Sequence, residues 1–250
     1  MPSLSIIIPC YNEEKRLNIE KINEFLGLNN NVSIIFVNDG STDKTSAILN
    51  QITKNFPLKT EILSNDKRKG KAESVRLGML RSVKKTDTIY HGFMDADMAV
   101  SFKEFERLFE IIASTEKKFI FGSRIKKIGA NISRNEWRHF YSRIIATVLG
   151  FITKMNVYDT QCSAKIFRKE IIHNIFGENF KTKWLFDAEI VCRIFYQYGD
   201  LNKSGIEEPV LEWTEIKGSK LKLLNFFSIL NEILVIHKYY RYNESSITIK

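Results

Sequence analysis

Cysteine and histidine are scarce in this 250-residue chain, which has three of the former and four of the latter. Cys10, Cys162 and Cys192 stand far apart, no Cys-x-x-Cys pair occurs and the histidines are scattered, so a zinc-binding pattern is excluded. An odd, dispersed set of thiols fits a reducing compartment, and a cytoplasmic location is expected. Long apolar runs are also missing. No stretch reaches about 18 uninterrupted apolar residues, so no spanning helix is expected. The opening Met1-Pro2-Ser3-Leu4 has no basic segment before its first apolar run and does not read as a signal peptide. With no repeat, low-complexity tract or linker, one domain over residues 1–250 is expected.

What is present is an apolar fraction of 44%, enough for a full core, and a formal net charge of +9. That charge points to an anionic partner such as a nucleotide, a lipid phosphate, an acidic membrane surface or nucleic acid. A solubility bias gives the same sign. Apolar runs and helical patterns alternate along the first hundred residues. Strands are expected at Leu4 to Ile8, Val32 to Val37, Lys59 to Leu63 and Thr88 to Met94, with helices from Ile19, from about Thr42 and through Val83 between them. This is the rhythm of an α/β fold with a mostly parallel sheet covered on both faces. Further on, a helix is expected at Phe102 to Ile112 and strands at Phe119 to Arg124, Ala164 to Phe167 and Ile206 to Trp213. Amphipathic helices are expected at Trp137 to Met155 and Leu221 to Tyr240, the latter closing the C-terminal half. Both carry Arg or Lys nearby, as helices lying in a membrane interface do, and packing on the sheet is the alternative, the better one for the first.

The chemistry centres on Met94-Asp95-Ala96-Asp97. Carboxylates two apart at a strand end point the same way and suit a hard divalent cation that takes further ligands from phosphates. Glu13 and Asp39 follow two other strands, so all can meet at one sheet edge. Asp39 is suited to accept a nucleobase N–H or to cap the following helix. The basic loop Lys67 to Lys71 is suited to a diphosphate but lacks the glycine spacing of a Walker loop. Its lack of interleaved aromatics weighs against nucleic acid, and no nucleic-acid partner is expected. Arg124 and Arg138 adjoin apolar segments and suit either a phosphate at a membrane surface or surface ion pairs. Asp187 is suited to act as a general base or to serve its helix dipole.

Three stretches in order, Ile8-Pro9-Cys10-Tyr11-Asn12-Glu13, Val37-Asn38-Asp39-Gly40-Ser41-Thr42-Asp43 and Met94-Asp95-Ala96-Asp97, resemble family 2 glycosyltransferases of the GT-A fold. The remainder resembles the dolichyl-phosphate β-glucosyltransferases and polyprenyl-phosphate mannosyltransferases. The residues that carry this are Gly70-Lys71 with Val75-Arg76-Leu77-Gly78, Gly122-Ser123-Arg124, Asp159-Thr160-Gln161-Cys162, Trp184-x-Phe186-Asp187-x-Glu189 and Trp213-Thr214-Glu215-Ile216-x-Gly218-Ser219-Lys220-Leu221. Departures are Asn38 where Asp is frequent, Ala72-Glu73 after the lysine, and Ser163-Ala164 in place of Gly-Phe.

The resemblance implies inverting, metal-dependent transfer of a hexose from UDP-glucose or GDP-mannose to a polyprenyl or dolichyl phosphate. It divides the chain into a nucleotide-sugar half, about 1–125, and an acceptor half, about 126–250. Pro9, Tyr11, Glu13, Asp39, Lys71, Asp95 and Lys220 would bind the donor, and Asp95 and Asp97 would hold Mg2+ or Mn2+. Arg124 and Arg138 would grip the acceptor phosphate, with Asp187 the base if a hydroxyl attacks. The expected setting is the cytoplasmic face of an anionic membrane. The rivals are a family 2 transferase acting on a glycan hydroxyl and, remotely, a basic nucleic-acid-binding module.

Overall fold

The computed structural model describes residues 3–84, 87–133, 147, 150, 157–214 and 226–240. The first half alternates β1 Leu4–Cys10, α1 Ile19–Leu28, β2 Val32–Asn38, α2 Thr45–Asn55, β3 Thr60–Ser64, α3 Lys71–Ser82 and β4 Tyr90–Phe93. There follow α4 Phe102–Ala113, β5 Phe119–Ser123, β6 Asn131–Ser133, β7 Lys165–Arg168, α5 Lys169–Phe176, α6 Phe186–Tyr198, α7 Leu201–Ser204, β8 Gly205–Pro209, β9 Glu212–Thr214 and α8 Phe226–Tyr240. Seven strands form one sheet in the order β3-β2-β1-β4-β7-β5-β8, and β6 pairs with β9 apart from it. All neighbours in the large sheet are parallel except β7, which runs antiparallel between β4 and β5. This is the GT-A arrangement expected from the sequence.

Period-two alternation explains how the sheet is covered. On β1, Leu4, Ile6, Ile8 and Cys10 enter one buried cluster with Phe25, Leu49, Phe105 and Leu108, while Ile7 enters the other with Val75, Met79, Ile190 and Ile236. α3 lies close on the sheet because Gly78 faces it: a Cβ there would stand 2.5 Å from Ile7 Cγ2. The strand ends of β1, β2 and β4 therefore share one edge. The antiparallel β7 brings its first residue to that same edge, with Lys165 opposite both Phe93 and Phe121.

Several expectations need correction. β1 runs through Pro9 to Cys10 rather than stopping at Pro9. The helix expected from about Thr42 begins at Thr45: Ser41 and Thr42 are tied to Asn12, and Asp43 Oδ1 accepts from Thr45 N–H at 2.9 Å. The strand expected at Ile206 to Trp213 divides. After Pro209 the chain leaves the sheet, Leu211 N–H donates to buried Glu104 at 2.7 Å, and β9 pairs with β6. α5 went unread in the sequence although Ile171, Ile172, Ile175 and Phe176 repeat at helical spacing. The helix expected at residues 137–155, with Arg138, and the segment carrying Lys220 lie outside the described residues. Among the described residues no helix is long and apolar enough to cross a membrane.

Candidate active site

The loops after β1 and β2 are laced together. Asn12, with φ 52, accepts Thr42 N–H at 2.9 Å; Glu13 N–H donates to Thr45 Oγ1 at 2.8 Å and Glu14 N–H to Asp43 at 3.1 Å. Asp39, at the carboxyl end of β2, does not cap α2. Its Oδ1 accepts from Asn65 Nδ2 at 2.9 Å and Lys69 N–H at 2.8 Å, and its Oδ2 accepts from Gly70 N–H at 2.8 Å. It thereby holds the basic loop against the strand ends. Gly40, with φ +67, is required there, since a Cβ would stand 2.8 Å from Arg68 N. Arg68, carried by this loop, lies over the Tyr11 ring with 4.3 Å to the centroid. Pro9 belongs to β1 and pairs with Val37.

β4 ends at Phe93, one residue earlier than expected, so Asp95 and Asp97 stand on a turn and not on the strand. The turn is closed by Met98 N–H donating to the Asp95 carbonyl at 3.1 Å, with Met98 at φ 54. Lys71 Nζ, at the start of α3, lies 2.6 Å from Asp95 Oδ1. Burial works against the charge on Asp95, but Lys71, a hydrogen bond from Ser163 and the charge of Lys165 together hold its carboxyl below the usual range. Asp97 moves the other way: burial and the neighbouring Asp95 push it up against Ala99 N–H, Arg16 and Lys71. Arg16 joins the two loops, pairing with Glu13 Oε1 and lying 3.6 Å from Asp97 Oδ2.

These two carboxylates fit a divalent cation in one specific way. Among the described residues no group of three or more His, Cys, Asp or Glu side chains is placed to hold a metal. The protein thus offers a pair, which suits a small hard ion that shares its remaining positions with water and phosphate oxygens.

Two buried ion pairs complete the edge. Lys165 is wholly buried; its Nζ lies 2.6 Å from Asp187 Oδ1 and also donates to the Cys162 carbonyl. Asp187 sits in the first turn of α6, 3% exposed, and its Oδ2 accepts no hydrogen bond among the described residues. Arg124, just past β5, gives Nε to Asp159 Oδ2 at 2.6 Å and Nη2 to Asp159 Oδ1 at 2.8 Å, and packs 5.5 Å from the Trp213 ring. Burial opposes the Arg124 charge, and the Asp159 carboxylate overcomes this and raises its pKa. Asp159 is itself held by Glu207, which accepts its N–H at 2.8 Å and that of Tyr158 at 2.9 Å.

The structure therefore gathers Tyr11, Glu13, Asp39, Lys71, Asp95, Asp97, Arg124 and Asp187 at the edge where β1, β2, β4 and β5 end. Sequence reasoning passed over Arg16, Asp159, Ser163 and Lys165 as working residues. A signal existed for the last, because a lysine inside a run expected to be a buried strand needs a carboxylate. Arg16 stands three residues from Glu13, a spacing that pairs charges.

Comparison with known proteins matches residues 5–176 to the family described as Glycosyl transferase family 2. The chain is 30% identical over 250 residues to dolichyl-phosphate beta-glucosyltransferase ALG5A of Trichomonas vaginalis, covering 95% of this chain and 74% of that one. It is 32% identical to dolichyl-phosphate beta-glucosyltransferase of Dictyostelium discoideum, covering 87% and 68%. Among solved structures it resembles glucosyl-3-phosphoglycerate synthase from Mycobacterium tuberculosis in complex with Mn2+, UDP-glucose and phosphoglyceric acid. That match has TM-score 0.67 and 14% identity and covers 97% of this chain and 82% of that one.

Proposed function

The chain belongs to glycosyl transferase family 2 and is a glycosyltransferase, and from that premise we propose that it moves glucose from UDP-glucose to a polyprenyl phosphate such as dolichyl phosphate. The observation that carries the reading is the convergence of Asp39, Lys71, Asp95, Asp97 and Arg124 on one sheet edge. It offers an acceptor for a base, a carboxylate pair for a diphosphate-bound cation, and an arginine for a second phosphate. The names of the relatives support glucose and a dolichyl phosphate acceptor.

Asp39 favours UDP over GDP by counting hydrogen bonds. A carboxylate offers about four lone-pair positions. Oδ1 already accepts two N–H groups and Oδ2 one, so a single position on Oδ2 is left. Uracil presents one imide N–H. Guanine presents two adjacent donors that call for one acceptor on each oxygen, and Oδ1 has none to give. Tyr11 and Arg68 supply a flat cation–π surface beside it.

Asp95 and Asp97 would hold Mg2+ or Mn2+, whose chemistry is to neutralise charge on the departing diphosphate. Lys71 and Lys220 add positive charge on the donor side. Arg124, fixed by Asp159, orients the acceptor phosphate, and Arg138 assists it. A phosphate monoester is already an anion at neutral pH, so attack on the anomeric carbon requires no strong base. Asp187 then orients rather than deprotonates. The setting is peripheral on the cytoplasmic face of an anionic membrane, supported by the +9 charge. Support also comes from α8, where Leu234 is 64% exposed and Tyr239, 53% exposed, carries Lys181 and Lys238 near its ring. The rival with a glycan hydroxyl as acceptor is disfavoured by the engagement of Asp187 with Lys165.

The test is a labelled-sugar screen with UDP-glucose and GDP-mannose against a short polyprenyl phosphate and against simple glycans, with Mn2+, Mg2+ or chelator. Transfer from UDP-glucose to the lipid phosphate, lost with chelator, is expected. Transfer only to hydroxyl acceptors, or undiminished turnover in chelator, overturns the reading.

A further inference from the structure

Two ammonium groups neutralise the acidic centre, and they differ in their freedom to move. Lys165 lies within β7, a strand paired on both sides, and is wholly buried. Its Nζ is held by Asp187 and the Cys162 carbonyl. Lys71 is placed otherwise. It is the first residue of α3, it follows Gly70 at φ +99, and its side chain is 38% exposed. Among the described residues its one ion-pair partner is Asp95, at 2.6 Å.

We propose that Lys71 is a place-holder for the divalent cation, leaving Asp95 for the donor diphosphate when the cation arrives, so that cation and nucleotide bind as a coupled pair. This rests on reading Asp95 and Asp97 as the carboxylates that hold a diphosphate-bound cation. A small hard divalent ion such as Mg2+ sits about 2.0–2.1 Å from its oxygen ligands. The Lys71 ammonium already stands 2.6 Å from Asp95 Oδ1. Both cations cannot share that oxygen without close like-charge contact, so one gives way. Arg16 is not the group that yields, since Glu13 binds it and it lies farther off, at 3.6 Å from Asp97. Lys165 has no room to yield. Lys71 has a flexible four-carbon stem and an open side, and carries a point charge that can be re-aimed.

Departure into water alone would forfeit a charge-assisted contact. A diphosphate supplies a replacement anion close by, where the first backbone N–H groups of α3 also lack intrahelical partners. The cation then frees the lysine that the nucleotide uses, and the nucleotide compensates the lysine that the cation displaces. Without nucleotide, the cation competes with a resident ammonium. Without the cation, the nucleotide meets a lysine already committed to Asp95.

Calorimetry of Mn2+ with wild-type protein and with Lys71→Gln, with and without UDP and corrected for Mn2+ held by UDP in solution, tests this directly. For wild type, UDP should strengthen Mn2+ binding by roughly tenfold to a hundredfold, a usual size for such coupling. For K71Q, Mn2+ alone should bind roughly tenfold tighter than to wild type, and the enhancement by UDP should shrink by a similar factor. Lys71→Arg, which keeps a cation, should retain weak binding of Mn2+ alone. A K71Q protein with native circular dichroism whose affinity for Mn2+ alone equals wild type, or whose enhancement by UDP is undiminished, overturns the place-holder role and leaves the donor site standing. Wild type that binds no UDP even with Mn2+ overturns both.

Discussion

Replacing Asp159 probes how Arg124 is held. The carboxylate takes Arg124 Nε at 2.6 Å, Nη2 at 2.8 Å and backbone N–H at 3.1 Å, and also accepts Gln161 N–H at 3.1 Å. The side chains are only 12% and 6% exposed. Asp159→Ala leaves a guanidinium unpaired out of water and frees two backbone donors, and removing one partner of a buried pair costs about 3–5 kcal/mol. Since domains are stable by about 5–15 kcal/mol, a large share of the total is at stake. Asp159→Asn, which keeps the shape and one acceptor oxygen, should cost about 2 kcal/mol. Urea unfolding at constant m-value reads both. The double variant Arg124→Met with Asp159→Leu should regain most of the loss, because apolar groups of similar volume restore packing without stranding a charge. A loss below about 1 kcal/mol for Asp159→Ala would put the pair in the class of exposed salt bridges and refute the reasoning. The same geometry predicts a functional split for Arg124→Lys. With one fork edge spent on Asp159, the other is left for a phosphate, and an ammonium cannot serve both. Acceptor KM should rise by at least about tenfold, as for the loss of one charge-assisted hydrogen bond, with UDP affinity unchanged.

Asp39→Asn should weaken UDP binding by roughly tenfold to a hundredfold, as expected for a lost buried hydrogen bond to a charged group; unchanged affinity by calorimetry would leave Asp39 only its role in holding the basic loop. Asp187→Asn should lower transfer to polyprenyl phosphate by less than about tenfold, whereas loss of a general base costs about 10²–10⁴-fold; a loss of that larger size with the lipid acceptor would restore Asp187 as the base. The Cys162 thiol is pushed up to about 11 from 9.0, by burial first and then by Asp159, against Arg124 and Lys165. The native state therefore binds that proton more tightly than the unfolded chain, so the stabilisation is complete below pH 9 and is lost as pH rises through 11. A shift of this size corresponds to about 2–3 kcal/mol. Urea midpoints at pH 8 and pH 10.5 should converge in Cys162→Ala relative to wild type, and an identical pH slope in the two proteins would refute the assignment.

β1 and β2 were legible because they are buried on both faces and read as nearly continuous apolar runs, with turn residues closing them. Asp95 and Asp97 were legible as a pair for a partly mistaken reason: they meet on a turn with Met98 in the left-handed region, not by alternation along β4. Asp39 shows the limit of local reasoning. Spacing suggested that it caps the helix that follows, but a side chain at a sheet edge can reach a loop 26 to 31 residues away, and three donors there outbid α2. Arg124 was legible as a cation beside an apolar strand, while its partner 35 residues on was not, because nothing in the sequence fixes how β7 reverses between β4 and β5. The same reversal hid Lys165. In the sequence it is one charge in a short apolar run; only the antiparallel insertion places it opposite Phe93 and against Asp187.

That insertion also decides what the site can do with an acceptor. A hydroxyl nucleophile must lose a proton as it attacks, so its enzyme needs a carboxylate with an oxygen to spare and freedom to take the proton. Asp187 keeps Oδ2 to spare, but its Oδ1 is tied to an ammonium that cannot leave its strand, in a setting almost closed to water, so the carboxylate lacks the freedom to turn toward a hydroxyl. A phosphate monoester needs no such help. It needs a cation already aimed, and Arg124 is aimed by Asp159, which Glu207 in turn holds through backbone N–H groups. Two links of hydrogen bonding, Glu207 to Asp159 and Asp159 to Arg124, run from β8 to that guanidinium, and neither moves a proton. The arrangement orients charge toward an acceptor that arrives charged, as the proposed lipid phosphate would.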